Sequence, residues 1–203
     1  MRNLFLVVTI MSLFGISFSQ TKKALGLRAG LNISTLTNAN LETKSGVYLG
    51  VFGHFKFSDM YALQPEINYS NQGGKAIHAG DKDVDIDYIS ISVTNKLFVK
   101  NSGFHFIIAP SFDFDTDDTP VGIANRNEGN DITFLDMAIG LGFGYEFKNG
   151  IGIEARYKRG FIDVFSGSWH DFDSEPLYNE ENQFNNLYQI GLTYKFDFSK
   201  KED

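Results

Sequence analysis

The chain has no cysteine. That excludes a disulfide scaffold, a thiolate nucleophile, a Cys-ligated zinc site and the acylated cysteine of a lipoprotein anchor. Histidine and proline are scarce, at four residues each. No His-x-x-x-His pair and no Gly-x-Ser-x-Gly elbow is present to organise a metal or a nucleophile, so no cofactor and no metal centre is expected. Positive charge is also in short supply: 18 Lys and Arg against 25 Asp and Glu leave a formal charge of −7. That is the wrong sign for a phosphate backbone and excludes nucleic acid as a partner. Beyond the first twenty residues no apolar run approaches the ~18 that a membrane helix needs. What the chain has instead is 20 Phe, 20 Gly and 9 Tyr in 203 residues.

Residues 1–19 read as a targeting segment. Met1-Arg2-Asn3 is a short positive start, residues 4–16 are apolar but too few to span a bilayer, and Ser17-Phe18-Ser19 supplies small residues ahead of Gln20. This is the plan of a secretory signal peptide, which leaves 20–203 as one barrel domain.

Period-two patterning dominates that remainder. Leu135, Met137, Ile139, Leu141, Phe143, Tyr145 and Phe147 alternate with Asp136, Ala138, Gly140, Gly142, Gly144 and Glu146. The stretches from Leu25 to Ser34, Tyr61 to Ser70, Ile151 to Lys158 and Tyr188 to Phe196 show the same split. Three more segments, 47–57, 84–99 and 104–114, are blurred; in the first, Tyr48 and Phe52 share the polar face with His54 and Lys56. Pro65 and Pro110 each remove a ladder donor, so a bulge or weakened pairing is expected at both. Eight strands result, joined by 35–45, 58–60, 71–83, 100–103, 115–130, 148–150 and 163–186. These connections alternate long and short, and Asn149-Gly150 and Asn101-Ser102-Gly103 supply hairpin chemistry. In an up-and-down barrel successive turns fall at opposite ends. One end then carries all the long loops and the other the tight turns together with both termini, as in outer-membrane barrels with a periplasmic turn side.

Alternation alone does not say which face is wet. The polar set is small and mixed in sign: Arg28, Lys56, Glu66, Asp136, Glu146, Glu154, Arg156, Lys158 and Lys195. Charges of both signs suit a lumen that eight strands leave just wide enough for side chains. The apolar set is large, and Tyr61, Tyr69, Tyr145, Tyr157, Tyr188 and Tyr194 stand toward strand ends, as lipid-facing girdles require. The expected fold is all-β: a closed antiparallel up-and-down eight-stranded transmembrane β-barrel, with membrane lipid and lipopolysaccharide as its surroundings. A secreted soluble barrel with a greasy interior is the inverse solution.

Six short pieces add a resemblance. They are Gly26-Leu27-Arg28-Ala29-Gly30-Leu31-Asn32, Leu63-Gln64-Pro65-Glu66-Ile67-Asn68-Tyr69-Ser70, Asp87-Tyr88-Ile89-Ser90-Ile91, Ala109-Pro110-Ser111-Phe112, Gly140-Leu141-Gly142-Phe143-Gly144-Tyr145 and Glu154-Ala155-Arg156-Tyr157-Lys158-Arg159-Gly160. Their order resembles the PorT-like outer-membrane β-barrel family of Bacteroidota, and Glu154-Ala155-Arg156-Tyr157 is the most specific piece. Ser92 stands where that family often has Pro, and the chain runs past Phe196 and Phe198 where such barrels commonly end on an aromatic. The resemblance implies an integral outer-membrane protein; named relatives serve secretion and gliding machinery, and most members have no assigned activity.

The candidate site is a lumen charge network of Arg28, Lys56, Glu66, Asp136, Glu146, Glu154, Arg156 and Lys158, with His54 and His105 also facing inward. Two of its carboxylates could act as an acid–base pair, or the whole set could simply neutralise itself. Asp113, Asp115, Asp117 and Asp118 have the start of a calcium-loop spacing. Asp118 stands where an EF-hand needs Gly and Ala124 where it needs Glu, which leaves at most a weak divalent-cation loop. His78 and the Trp169-His170-Asp171 cluster mark the loop rim, where an outer-membrane hydrolase or acyltransferase would place its groups. Gly140-x-Gly142-x-Gly144 lies within a strand and is no nucleotide loop. The loops 35–45, 71–83, 115–130 and 163–186 are strongly acidic and are the expected contact for an envelope protein partner. The expected role is non-enzymatic and structural or interactive, accessory to secretion or surface assembly, with no catalytic residue assigned.

Overall fold

In the computed structural model, which describes residues 22–77, 83–116, 132–165 and 182–196, alternation has become a single closed sheet. Its strands are β1 (Lys22–Leu36), β2 (Leu41–Lys56), β3 (Tyr61–Ala76), β4 (Val84–Phe98), β5 (Phe104–Asp115), β6 (Leu135–Glu146), β7 (Ile151–Gly160) and β8 (Asn185–Phe196). Each pairs antiparallel with the next, and β8 closes on β1 from Leu25↔Phe196 to Leu36↔Asn185. Closure removes both edges of the sheet.

Local chemistry fixes the turns. Asn101 has a φ of 59° and Gly150 one of 85°, values that Asn tolerates and Gly adopts freely. Around Gly150 the Phe147 N–H donates to Ile151 O at 2.8 Å, and the Asn149 side chain accepts from the Ile151 N–H at 3.2 Å. The prolines weaken pairing without shifting it. Register runs on unchanged from Phe52↔Glu66 to Phe55↔Leu63 and from Ser92↔Ser111 to Asn95↔Ile108, while the pairs between them, beside Pro65 and Pro110, are missing. The bulge lies elsewhere, in the β2–β3 ladder between Thr43 and Tyr48.

Loop 35–45 is a correction. β1 continues to Leu36 and β2 starts at Leu41, so only 37–40 connects them, with Asn38 at a φ of 53°. The polar residues read as loop are paired strand: Ser34 opposes Lys44 and Ile33 opposes Ser45. The long connection assigned to 71–83 shortens to 77–83 for the same reason. β1 to β4 accordingly have 15 or 16 residues, whereas β5 to β8 have 10 to 12. At ~3.3 Å per residue the first half of the wall is longer by roughly 10 Å along the strand.

The faces settle which solvent each side meets. Leu31 is 61% exposed and Ile190 58%, while Arg28 is 3% and Glu66 2%. A soluble barrel would bury the first pair and wet the second, so the soluble ligand-binding alternative is overturned. Aromatic rings gather at the tight-turn end as edge-on pairs, Tyr145 with Phe147 and Tyr194 with Phe196, and Tyr157 meets Tyr188 at a tilt of 45° toward the other end. Inside that other end Leu36, Ile86, Tyr88, Ile132, Val164 and Phe165 form a buried apolar cluster.

Candidate functional site

Inward positions of β1, β3, β4 and β7 converge at mid-barrel. The Glu66 carboxylate accepts from Arg28 and, in a fork, from Arg156 Nη2 at 2.9 Å and Nη1 at 3.1 Å. Gln64 Nε2 donates to it at 2.9 Å and Ser92 Oγ at 3.3 Å. Arg156 also donates to its strand neighbour Glu154, Nη2 at 2.6 Å and Nε at 3.1 Å, and Lys96 Nζ donates to Glu154 from the opposite wall at 2.6 Å. The planar guanidinium of Arg156 thus serves two carboxylates at once, which a lysine ammonium could not do with the same geometry. Rings back the cations: Arg28 lies 4.7 Å from the Tyr48 centroid and Lys96 5.9 Å from that of Phe52.

The remaining expected members sit apart from this centre. Lys158 donates to Asp113 at 2.6–2.8 Å and to Ser90 Oγ at 3.1 Å, nearer the apolar cluster. Asp136 accepts the N–H groups of Phe161 and Ile162 at 3.2 and 3.1 Å. Toward the tight turns Glu146 pairs with Lys195, and half-buried Lys56 covers the Phe98 ring at 4.6 Å. His54 Nδ1 lies 3.2 Å from Gln64 Oε1. His105 Nδ1 lies 3.0 Å from Gly103 O, and its Nε2 is 3.7 Å from Glu154.

One expectation is corrected here. Asp113 and Asp115 are inward residues of β5 rather than loop ligands, and Asp113 is already held by Lys158 and Ser90; Asp117 and Asp118 lie outside the described residues. Sequence reasoning also missed Lys96, because its strand mixes Ile86, Tyr88 and Phe98 with polar residues on one face. The alternation Ser90-Ser92-Thr94-Lys96, all buried, was the available signal. His78, Trp169, His170 and Asp171 lie outside the described residues. Among the described residues no three His, Asp or Glu side chains sit where they could hold a metal ion.

Glycines make the room. A Cβ on Gly142 would stand 2.3 Å from Ala155 O and 3.0 Å from the Arg156 side chain, and one on Gly144 2.7 Å from His105 Nε2. Between the Glu66 centre and the Lys158–Asp113 pair a polar cavity of about 20 Å³ remains, room for one water-sized guest. Chemically, the arrangement immobilises charge and closes the bore.

A closed, inside-out barrel of this size defines a class, the small β-barrels that cross a bacterial outer membrane. The sequence matches the family described as outer membrane protein beta-barrel domain over residues 18–166, and the chain belongs to that family. It is an integral outer-membrane barrel whose apolar wall contacts membrane lipid. No curated protein matches its sequence. Among solved structures it is similar to Neisserial surface protein A (NspA), with 12% identity, a TM-score of 0.52, 88% of this chain covered and all of the other. It is also similar to OprG of Pseudomonas aeruginosa, with 15% identity, a TM-score of 0.42, and 87% and 97% covered. The likeness to NspA is one of fold.

Proposed function

We propose that this barrel has a non-enzymatic structural or interaction role in the envelope, accessory to secretion or surface assembly, and acts through its outer end instead of conducting solutes. The carrying observation is the occupied bore: Arg28, Lys96 and Arg156 interlock with Glu66 and Glu154 across its width, and an apolar cluster lies beyond them. Opening a path would separate buried ion pairs, each worth several kcal/mol once one partner is stranded.

The resemblance to the PorT-like barrels of Bacteroidota supports the accessory role. In this reading residues 1–19 are a signal peptide and 20–203 the barrel. Both termini lie in the periplasm with turns 57–60, 99–103 and 147–150. The strand ends at Leu36, Leu41, Ala76, Val84, Asp115, Leu135, Gly160 and Asn185 mark the outward side, toward lipopolysaccharide and an envelope protein partner.

Two measurements test this. Purified barrel in planar bilayers is expected to give no stepwise conductance. Photo-crosslinkers placed in 116–134 and 161–184 of living cells are expected to trap a discrete protein species that crosslinkers on the lipid-facing wall do not. Steady channel openings, or identical capture from wall and loops, would sink the proposal.

A further inference from the structure

We propose that the interior cavity is a binding site for one small monovalent inorganic anion of the halide class, held by Arg28. Three cationic side chains line it, Arg28, Arg156 and Lys158, together with the hydroxyls of Ser90, Ser92 and Ser111, and no carboxylate does. Arg28 is 97% buried by its 3% exposure, yet only Nη1 has a partner, in Glu66. Its Nε and Nη2 have no hydrogen-bond acceptor among the described residues, and the Oγ of Ser111, a residue 7% exposed, has no partner either; the one open acceptor in the same lining is Asn68 Oδ1. Donors of a buried charged group left open in this way are costly unless something accepts from them.

Charge points the same way. Around Glu66 the cations Arg28, Lys96 and Arg156 face only the carboxylates Glu66 and Glu154, an excess of one positive unit. Lys158 is matched by Asp113; the buried carboxylates Asp136 and Asp115 balance the lumen as a whole, but they do not line the cavity, and Asp136 is held by the N–H groups of Phe161 and Ile162, so the excess is local to the Glu66 layer. Water can accept from Arg28, but it cannot neutralise that excess; a halide does both. A single spare charge suits a monovalent ion. The ion-paired layer on one side and the apolar cluster on the other favour a compact species over an organic anion.

The test uses the full barrel folded in detergent micelles, unfolded thermally in sodium bromide, chloride or gluconate at matched ionic strength. Crystals grown in bromide supply an anomalous map. Halide is expected to raise the unfolding temperature saturably, as a ligand bound only to the folded state must, and gluconate is not. A bromide peak is expected within hydrogen-bond distance of Arg28 Nε or Nη2. Ser111→Ala, which removes one donor and keeps the ion pairs, is expected to raise the half-saturating bromide concentration about threefold to tenfold. Arg28→Gln is expected to abolish the effect. Equal unfolding temperatures in halide and gluconate would overturn the proposal, as would bromide peaks confined to the outside of the barrel. The wild-type map decides even if Arg28→Gln does not fold.

Discussion

At the scale of single residues, the interior turns on pairs that two strands make with a third. Glu154→Ala strands Lys96 and leaves Arg156 only Glu66, and Glu66→Ala strands Arg28 and leaves Arg156 only Glu154. Each is expected to lower stability by about 3–5 kcal/mol, because the partners left behind stay buried. Glu146→Ala, at the wetter tight-turn end, should cost far less. Urea unfolding of the barrel in lipid vesicles measures all three, and equal losses would contradict the layered picture. Gly144→Ala should also destabilise, since its methyl would stand 2.7 Å from His105 Nε2 and 2.9 Å from Glu154 Cγ; the same unfolding curve reads it. The inward placement of Arg28, Glu66, Glu154 and Arg156 was legible from strict alternation. Their partners were not. Glu154 sits two residues from Arg156 on its own strand, and only closure brings Lys96 across from β4. Lys158, two residues further along the same strand, turns to Asp113 instead.

At the scale of strands, β8 gives the cleanest contrast. Ile190 faces outward at 58% exposure and Gln189 inward at 8%. Ile190→Arg places a charge against hydrocarbon and is expected to cost about 2–4 kcal/mol. Gln189→Asn changes a side chain near Asn32, its 3.0 Å acceptor, and should cost under about half of that. Folding efficiency into vesicles separates the two, and a neutral Ile190→Arg would deny that this face meets lipid. Strand number and direction were readable because alternation survives wherever one face is greasy. Strand ends were not. Past the lipid, Ser34, Lys44, Thr43 and Gly74 still pair, but their partners are polar on both faces and the period-two contrast that marks a strand vanishes. This is why 35–45 reads as loop. The bulge near Thr43 did have a marker, in Gly46 within it and Gly73 opposite at a φ of 122°, whereas the two prolines that stood out only thinned the ladder.

At the scale of the whole molecule, inversion of the faces dictates behaviour out of the membrane. The purified barrel is expected to need detergent to stay dispersed and to migrate differently on gels before and after boiling, because a closed sheet with no edges resists detergent unfolding until heated. Free solubility in plain buffer would contradict it. Inversion was legible as a whole even where single strands blurred, because Arg28, Glu66, Glu154 and Arg156 fall on one set of faces and Leu31, Ile153 and Ile190 on the other.

The unequal strands make the two junctions between long and short ones unlike. At the end that holds Leu36, β4 runs on to Val84 past its last pair with β5, Tyr88↔Asp115, which leaves a step in the wall. β1 and β8 finish level there, at Leu36↔Asn185, in a flush seam. Fraying of the sheet is expected to begin at the step.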